Sequence, residues 1–199
     1  MIGIIDYGIG NLHSVKNALD YLKCDCIISD NIIKLKKCDK IILPGVGAFG
    51  DGMMLLKKSG LDIFVKDFAL TGKPILGICL GMQLLFEKSF EKGEHEGLGL
   101  IEGFVDKINA ENLKIPHMGW NSLHITNNNI ITKDLCENDY VYFVHSFMAN
   151  TEEKYINAYT DYKIKIPAIV SKNNVYGCQF HPEKSDMVGM KILRNFIGE

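Results

Sequence analysis

The chain has 199 residues, 47% of them hydrophobic and 23% charged, and its formal net charge is −2. This length suits a single domain over residues 1–199 and is sufficient for a buried core. The small charge gives no reason to expect nucleic acid or an anionic membrane as a partner. No stretch approaches the roughly 18 consecutive apolar residues of a membrane span.

The first residues form a short apolar run that reaches Asp6 without a basic stretch, which indicates a first strand and not a secretory signal. We therefore expect a cytoplasmic protein whose six cysteines are reduced. No cysteine or histidine pair follows Cys24 and Cys26 at zinc spacing, so no metal site is expected. Five cysteines are interpreted as small buried hydrophobic side chains, namely Cys24, Cys26, Cys38, Cys136 and Cys178.

Strand and helix patterns alternate along the first half of the chain. Apolar runs predict buried strands at residues 2–5, 26–29, 41–43 and 74–78. Helical spacing of apolar residues predicts helices at residues 12–22, 49–56, 61–70 and 80–87. This alternation predicts an α/β fold with a mostly parallel central sheet flanked by helices.

The second half changes to strands separated by turn-forming residues. Strand-like segments occur at residues 97–108, 140–145, 155–160, 168–171 and 175–180. We expect them to add antiparallel strands to the sheet. Ser185 is interpreted as the cap of a final helix.

Residues 77–81 read G-x-C-x-G at the junction of a predicted strand and a predicted helix. This is the cysteine form of a nucleophile elbow, in which a sharp turn lifts the side chain clear of the sheet. The amide of Leu80 would then be placed to hydrogen-bond a developing oxyanion. The simpler alternative is that Cys79 is one more core cysteine and that the glycines only relieve packing.

His181 is the candidate base, and Pro182 and then Glu183 follow it. In extended chain His181 and Glu183 point the same way, so the carboxylate can orient the imidazole toward a thiol. A surface turn is the simpler alternative. Cys178 is a rival nucleophile, but its odd spacing from His181 on a strand puts the two on opposite faces.

Residues 45–50 match G-x-G-x-x-G between a strand and a helix, the pattern of a dinucleotide-binding turn. The strand is not the first in the chain, Pro44 intrudes, and no acidic residue ends a following strand at the usual distance. We interpret residues 44–47 as a tight backbone loop at the carboxyl edge of the sheet, able to supply a second oxyanion donor.

Together, residues 77–83 and His181-Pro182-Glu183 resemble the class I, or triad, glutamine amidotransferases. The resemblance covers essentially the whole chain and includes residues 6–12, 44–49, 116–121, 142–146 and 180–185. It implies the fold of that family and the hydrolysis of glutamine to glutamate through a cysteinyl thioester, without a cofactor.

The resemblance also implies roles for individual residues. The triad would be Cys79, His181 and Glu183, and the oxyanion amides would be those of Val46 and Leu80, with the Gly45–Val46 peptide turning over to present its N–H. Six residues would hold glutamine, namely Gly47, Gln83, Glu91, His145, Ser146 and Phe147. The family commonly has tyrosine where Phe147 stands, so a backbone role is expected there.

The resemblance further implies a synthase partner, because ammonia in water near neutral pH is mostly unreactive ammonium and needs a shielded path. The sequence pattern resembles most the glutaminases that form a heterodimer with a (β/α)8-barrel cyclase of histidine biosynthesis. The resemblance implies that Asn11, Trp120 and Lys184 would face this partner. Three alternatives stay open: a partner that makes amidino groups on surface sugars, a stand-alone cysteine hydrolase, and a nucleotide-binding module that uses residues 45–50.

Overall fold

The computed structural model describes residues 1–109 and 113–198. The strands in this part of the chain are β1 (Ile2–Ile5), β2 (Cys26–Ser29), β3 (Lys40–Gly45), β4 (Ile75–Cys79), β5 (Phe86–Ser89), β6 (His95–Glu96), β7 (Ile101–Lys107), β8 (His117–Ser122), β9 (His124–Ile125), β10 (Tyr140–His145), β11 (Phe147–Asn150), β12 (Ile156–Asp161), β13 (Lys165–Lys172) and β14 (Val175–Cys178).

Eight strands form the main sheet, in the order β2-β1-β3-β4-β14-β13-β12-β9. The strands from β2 to β14 run parallel to their neighbours, and β13, β12 and β9 continue the sheet antiparallel. This topology confirms the mostly parallel α/β sheet with antiparallel additions from the second half. The expectation was wrong for the segments at residues 97–108 and 140–145, because β7 and β10 lie in two smaller sheets, β11-β7-β5-β6 and β10-β8.

Helices cover both faces of the sheet because successive strand residues point to opposite sides. Ile4 and Ile42 belong to the core cluster shared with α1 (Leu12–Tyr21) and α6 (Asp186–Ile197), whereas Ile5 and Ile41 belong to the cluster shared with α3 (Phe49–Ser59) and α4 (Leu61–Leu70). No helix among the described residues is both long enough and apolar enough to cross a membrane. The helices are α1 (Leu12–Tyr21), α2 (Ile32–Leu35), α3 (Phe49–Ser59), α4 (Leu61–Leu70), α5 (Leu80–Leu84) and α6 (Asp186–Ile197), with 3-10 turns at Glu153–Tyr155 and Pro182–Lys184.

The helix expected over residues 80–87 was wrong in its second half, because α5 ends at Leu84 and Phe86 already begins β5. The next carbonyls along the chain are taken by a distant segment. Leu98 donates its N–H to the oxygen of Leu84 at 2.9 Å, and Gly99 donates to that of Phe86 at 3.0 Å. Tertiary pairing therefore replaces the helical hydrogen bonds that the apolar spacing predicted.

Two further expectations were wrong in part. Cys136 is exposed and Cys24 and Cys26 are only partly buried, so only Cys38 and Cys178 of that group are buried side chains. Ser185 does precede α6, but its side chain caps no helical N–H. Its hydroxyl instead donates to the oxygen of His181 at 2.6 Å.

Candidate active site

Cys79 ends β4 in a conformation that non-glycine residues rarely adopt, with φ 55° and ψ −111°. The flanking glycines are required by close packing. A Cβ on Gly81 would lie 1.7 Å from the main-chain oxygen of Leu43, and one on Gly77 would lie 2.6 Å from that of Gly81. The strained backbone conformation of the corner is thus located at Cys79, whereas Gly77 and Gly81 allow α5 to pack close to the sheet. Cys79 as a whole is 7% exposed.

His181 lies beside this corner because β14 is the parallel neighbour of β4, with Cys178 opposite Ile78. Parallel strands end at the same edge of the sheet, so the three residues after Cys178 carry His181 to the level of Cys79. The Nδ1 atom of His181 is 2.8 Å from Oε1 of Glu183, and both side chains are buried. The other ring nitrogen is left for the sulfur.

The charge environment of His181 reflects both neighbours. Burial lowers the pKa of the imidazole, but its hydrogen bonds with Cys79 and Glu183 raise the pKa to about 9. The ring therefore carries a proton near neutral pH, held between sulfur and carboxylate. Cys178, the rival nucleophile, is fully buried, and burial raises the pKa of its thiol.

The geometry that joins His181 to Glu183 differs from the extended chain that the sequence suggested. His181 is extended, with φ −98° and ψ 98°, but Pro182–Lys184 is a 3-10 turn. Lys184 donates its N–H to the oxygen of His181 at 3.0 Å, which closes the turn. The turn therefore brings the carboxylate of Glu183 back toward the ring of His181. The expected hydrogen bond between them is present, but a 3-10 turn and not an extended chain produces it.

A cavity of about 430 Å³ opens above the cysteine, within the range of roughly 300–1,000 Å³ that is usual for small-molecule sites. All the expected catalytic, oxyanion and glutamine-holding residues except Glu183 line it, together with two residues that had no expected role. The lining consists of Val46, Gly47, Cys79, Leu80, Gln83, Glu91, Pro116, Val144, His145, Ser146, Phe147 and His181.

The side-chain amide of Gln83 has a defined orientation. Its Nε2 donates to the main-chain oxygen of Phe147 at 3.1 Å and to Oε1 of Gln179 at 3.0 Å. Because a main-chain carbonyl can only accept, nitrogen must face Phe147. Both amide donors are then used, and the oxygen of Gln83 is left to accept from a ligand.

The same Phe147 oxygen also fixes the tautomers of two buried histidines. His145 donates its Nδ1–H to it at 2.8 Å, so Nε2 of His145 must accept from Nδ1 of His117 at 3.0 Å. Nε2 of His117 then accepts from Nδ2 of Asn121 at 3.3 Å. Burial lowers the pKa of His145 to about 3 and that of His117 to about 4, so both rings are neutral.

Glu91 lies between the cavity and the start of α3. Its Oε2 accepts the N–H of Phe49, the first residue of that helix, at 2.7 Å. Residues 46–48 form the loop before α3, whereas Pro44 and Gly45, which were expected in the loop, still belong to β3, where Gly45 pairs with Cys79 of β4. The segment interpreted as a backbone loop therefore lies next to the nucleophile corner, with Val46 43% exposed.

Comparison with known proteins decides the family. The sequence model described as glutamine amidotransferase class-I matches residues 3–199. The chain belongs to the class I glutamine amidotransferase family. This amidotransferase is similar to the imidazole glycerol phosphate synthase subunit HisH of Caldanaerobacter subterraneus subsp. tengcongensis, with 53% identity over 98% of this chain and 97% of the relative.

A second relative supports the same family, and a solved structure supports the same fold. The HisH subunit of Lactococcus lactis is 52% identical over 100% of this amidotransferase and 98% of its own length. The structure of PurLQS from Thermotoga maritima superposes with a TM-score of 0.76 at 22% identity, covering 98% of this chain and 96% of that one. The structural match supports the fold.

The residues expected to face a partner of the amidotransferase lie outside the cavity. Trp120 is 49% exposed and lies opposite Tyr142 in the β8–β10 pair. Tyr142 connects that pair to the triad segment, because its oxygen accepts from the N–H of His181 at 3.1 Å. Lys184 is exposed in the same segment, and Asn11 precedes α1 without capping it through its side chain.

Sequence reasoning gave no role to Pro116, Val144, His117 and Gln179 of this amidotransferase. Two of them carried a usable signal. Gln179 is two residues before His181, and His117 and Asn121 are four apart on β8, so each pair shares a side of the chain. Pro116 and Val144 reach the cavity only through tertiary folding.

Proposed function

We propose that residues 1–199 form one cytoplasmic amidotransferase domain that hydrolyses glutamine at Cys79 and passes the ammonia to a (β/α)8-barrel cyclase in a heterodimer. The chain is a glutaminase subunit of imidazole glycerol phosphate synthase and acts in histidine biosynthesis, as its full-length relatives at about half identity support. The proposal rests on one observation: the imidazole of His181, hydrogen-bonded to the buried Glu183, lines the same ligand-sized cavity as Cys79.

The first half of the reaction forms a thioester. The sulfur of Cys79, having given its proton to His181, bonds to the side-chain carbonyl carbon of glutamine. The carbonyl oxygen becomes an oxyanion, for which the N–H groups of Val46 and Leu80 are the proposed donors. The carbon–nitrogen bond then breaks, and the leaving nitrogen takes the proton from His181 and departs as ammonia.

The second half restores the enzyme. Water gives a proton to the same imidazole as it bonds to the thioester carbon, and the carbon–sulfur bond breaks to release glutamate. Glu183 holds the ring in one orientation throughout both halves of the reaction. No metal or organic cofactor takes part in these steps.

Substrate binding uses the groups that the hydrogen-bond network leaves available. The oxygen of Gln83 and the carboxylate of Glu91 can accept N–H donors of glutamine. The backbone of Gly47 and of residues 145–147 lines the same cavity and can hold the amino-acid end.

The partner surface is proposed to include Asn11, Trp120 and Lys184. Trp120 is flanked by two other exposed large side chains of the β8–β10 pair, Met118 at 59% and Tyr140 at 56%. Contiguous exposed apolar side chains of this kind are typical of protein–protein interfaces.

Mass spectrometry after reaction with a chloroketone analogue of glutamine tests the chemistry. The label is expected on Cys79 and to be blocked by glutamine. The exposed Cys136 is the internal control for indiscriminate alkylation. Labelling of Cys136 or Cys178 with Cys79 left free would contradict the mechanism.

Genetic complementation tests the acceptor. Together with its native cyclase gene, the gene is expected to restore growth without histidine to a bacterium that lacks both synthase subunits. Loss of surface-sugar amidination on deletion, with histidine synthesis intact, would favour the amidino-sugar alternative. Thermal stabilisation by a dinucleotide and not by glutamine analogues would favour the nucleotide-binding one.

A further inference from the structure

Tyr7 carries a buried hydroxyl that no described residue satisfies. The residue follows β1, is 4% exposed, and its Oη has no hydrogen-bond partner within residues 1–109 and 113–198. Buried polar groups are nearly always paired, because leaving one unpaired is costly. A tyrosine in this place, where phenylalanine would fill the same space, requires an explanation.

The hydroxyl lies directly against the loop beside the nucleophile. A Cβ built on Gly45 would be 2.4 Å from it, and 3.0 Å from both the nitrogen of Gly81 and the Cβ of Leu80. Tyr7 and residue 45 therefore fit together only when residue 45 is glycine. Since Gly45 is also the strand partner of Cys79, the hydroxyl approaches the peptide that precedes Val46.

The hydroxyl is a donor at any working pH. Burial raises the pKa of Tyr7 above its ordinary range, and negative charge on Cys79 raises it further. It can thus offer a proton to a carbonyl oxygen without ionising.

We propose that the Tyr7 hydroxyl is a positioning group that donates to the main-chain oxygen of Gly45 when the amide of Val46 faces the substrate. The C=O and N–H of a trans peptide point in opposite directions and turn as one rigid unit. Holding the oxygen of Gly45 therefore fixes the direction of the Val46 N–H. The inference rests on the proposed function, because it takes Val46 as an oxyanion donor.

The test replaces Tyr7 by phenylalanine in the complex with the cyclase. Tyr7→Phe is expected to lower kcat for glutamine about tenfold, the worth of one well-placed hydrogen bond, with KM within about twofold. Inhibition by the aldehyde analogue of glutamine, whose thiohemiacetal with Cys79 carries an oxyanion, is expected to weaken by a similar factor. Alkylation of Cys79 by iodoacetamide needs no oxyanion donor and is expected to be unchanged.

Tyr176→Phe is the matched control, since Tyr176 is a partly buried tyrosine that packs on Phe196. It is expected to leave all three measurements unchanged. An unchanged kcat in Tyr7→Phe overturns the inference, and so does a parallel fall in iodoacetamide alkylation, which would place the effect on the thiol. A wild-type complex without glutaminase activity would instead overturn the proposed function itself.

Discussion

His181 and Glu183 share a 2.8 Å hydrogen bond inside the protein although a proline separates them and the chain turns between them. The side chain of Glu183 is 1% exposed, so its charge is compensated by the imidazole and not by water. The ring in turn reaches Cys79. The raised pKa of His181 is therefore determined jointly by Cys79 at the end of β4 and by His181 and Glu183 after the end of β14.

Replacing Glu183 by glutamine is expected to lower the pKa of His181 below about 9. The carboxylate is one of the groups that raise this pKa, and burial, which lowers it, would remain. Titration of labelled histidine by NMR measures the change, and glutaminase activity of the complex is expected to fall with it.

The control is Glu137→Gln, which breaks a similar histidine–carboxylate pair with His124 near the surface. It is expected to leave both the His181 titration and the activity unchanged. An identical His181 midpoint in Glu183→Gln and wild type would show that the carboxylate does not set the charge of the ring.

Replacing Cys79 by alanine is expected to abolish glutamine-dependent synthesis by the complex and to spare synthesis from added ammonia. The thioester cannot form without the sulfur, whereas the cyclase needs only ammonia. Assays of both reactions on the purified complex measure this. Cys136→Ala removes an exposed thiol and is the control. Loss of both activities in an intact complex would argue against separate glutaminase and synthase sites.

Acid is expected to destabilise the protein through His117 and His145. Their pKa values, lowered to about 4 and about 3, lie below the roughly 6.5 of an unfolded histidine. The unfolded chain therefore binds these protons first, so stability is full above about pH 6.5 and is lost as the pH falls through about 4 and about 3. Urea unfolding across this range measures the loss.

His117→Gln is expected to flatten this acid dependence, whereas His13→Gln, at an exposed position, should leave it as in wild type. The raised pKa of His181 makes stability depend on pH in the opposite direction. Its raised pKa contributes stability that is complete below about pH 6.5 and is lost as the pH rises through about 9. Equal acid sensitivity in His117→Gln and His13→Gln would mean that the buried pair of His117 and His145 does not cause the loss of stability in acid.

Replacing Gly81 by alanine is expected to destabilise the fold by more than about 3 kcal/mol. Its Cβ would overlap the main-chain oxygen of Leu43 at 1.7 Å, and two packed backbones cannot both move away. Gly52→Ala, whose Cβ would meet only flexible leucine side chains at 3.3 Å or more, is the control and should change stability by less than about 1 kcal/mol. Thermal and urea unfolding compare the two, and similar losses would remove the packing argument.

The sequence predicts best where local signals and tertiary structure agree. The corner at Cys79 could be located because a buried strand, two glycines and a helix meet within a few residues. The strand that begins at Phe86 could not be located in this way. The N–H groups of residues 98–101 donate to the carbonyls of residues 84–86, which a longer helix would need. The roles of Cys79, Leu80, His181 and Glu183 were inferred from the motifs, and those of the other residues came from the family resemblance; all of them stay predictions until the variants are measured.

Networks that cross between strands were the least predictable part of the site. The contact of His145 with His117 depends on the antiparallel register of β8 and β10, in which the two residues are directly opposite. Nothing in the spacing along the chain fixes that register. The position of the Tyr7 hydroxyl could likewise not be predicted, since a tyrosine after a strand gives no signal by itself and Gly45 is brought against it only by folding.

The place of β14 in the sheet has a consequence for biosynthesis of the protein. It is the last strand among the described residues, yet it inserts between β4 and β13, and it brings His181 to Cys79. A ribosome-bound chain that has emerged only as far as β13 has its thiol but no base. The proposed pair of thiol and base is therefore expected to form only when the sheet is nearly finished, and unfinished polypeptides are expected to release no free ammonia.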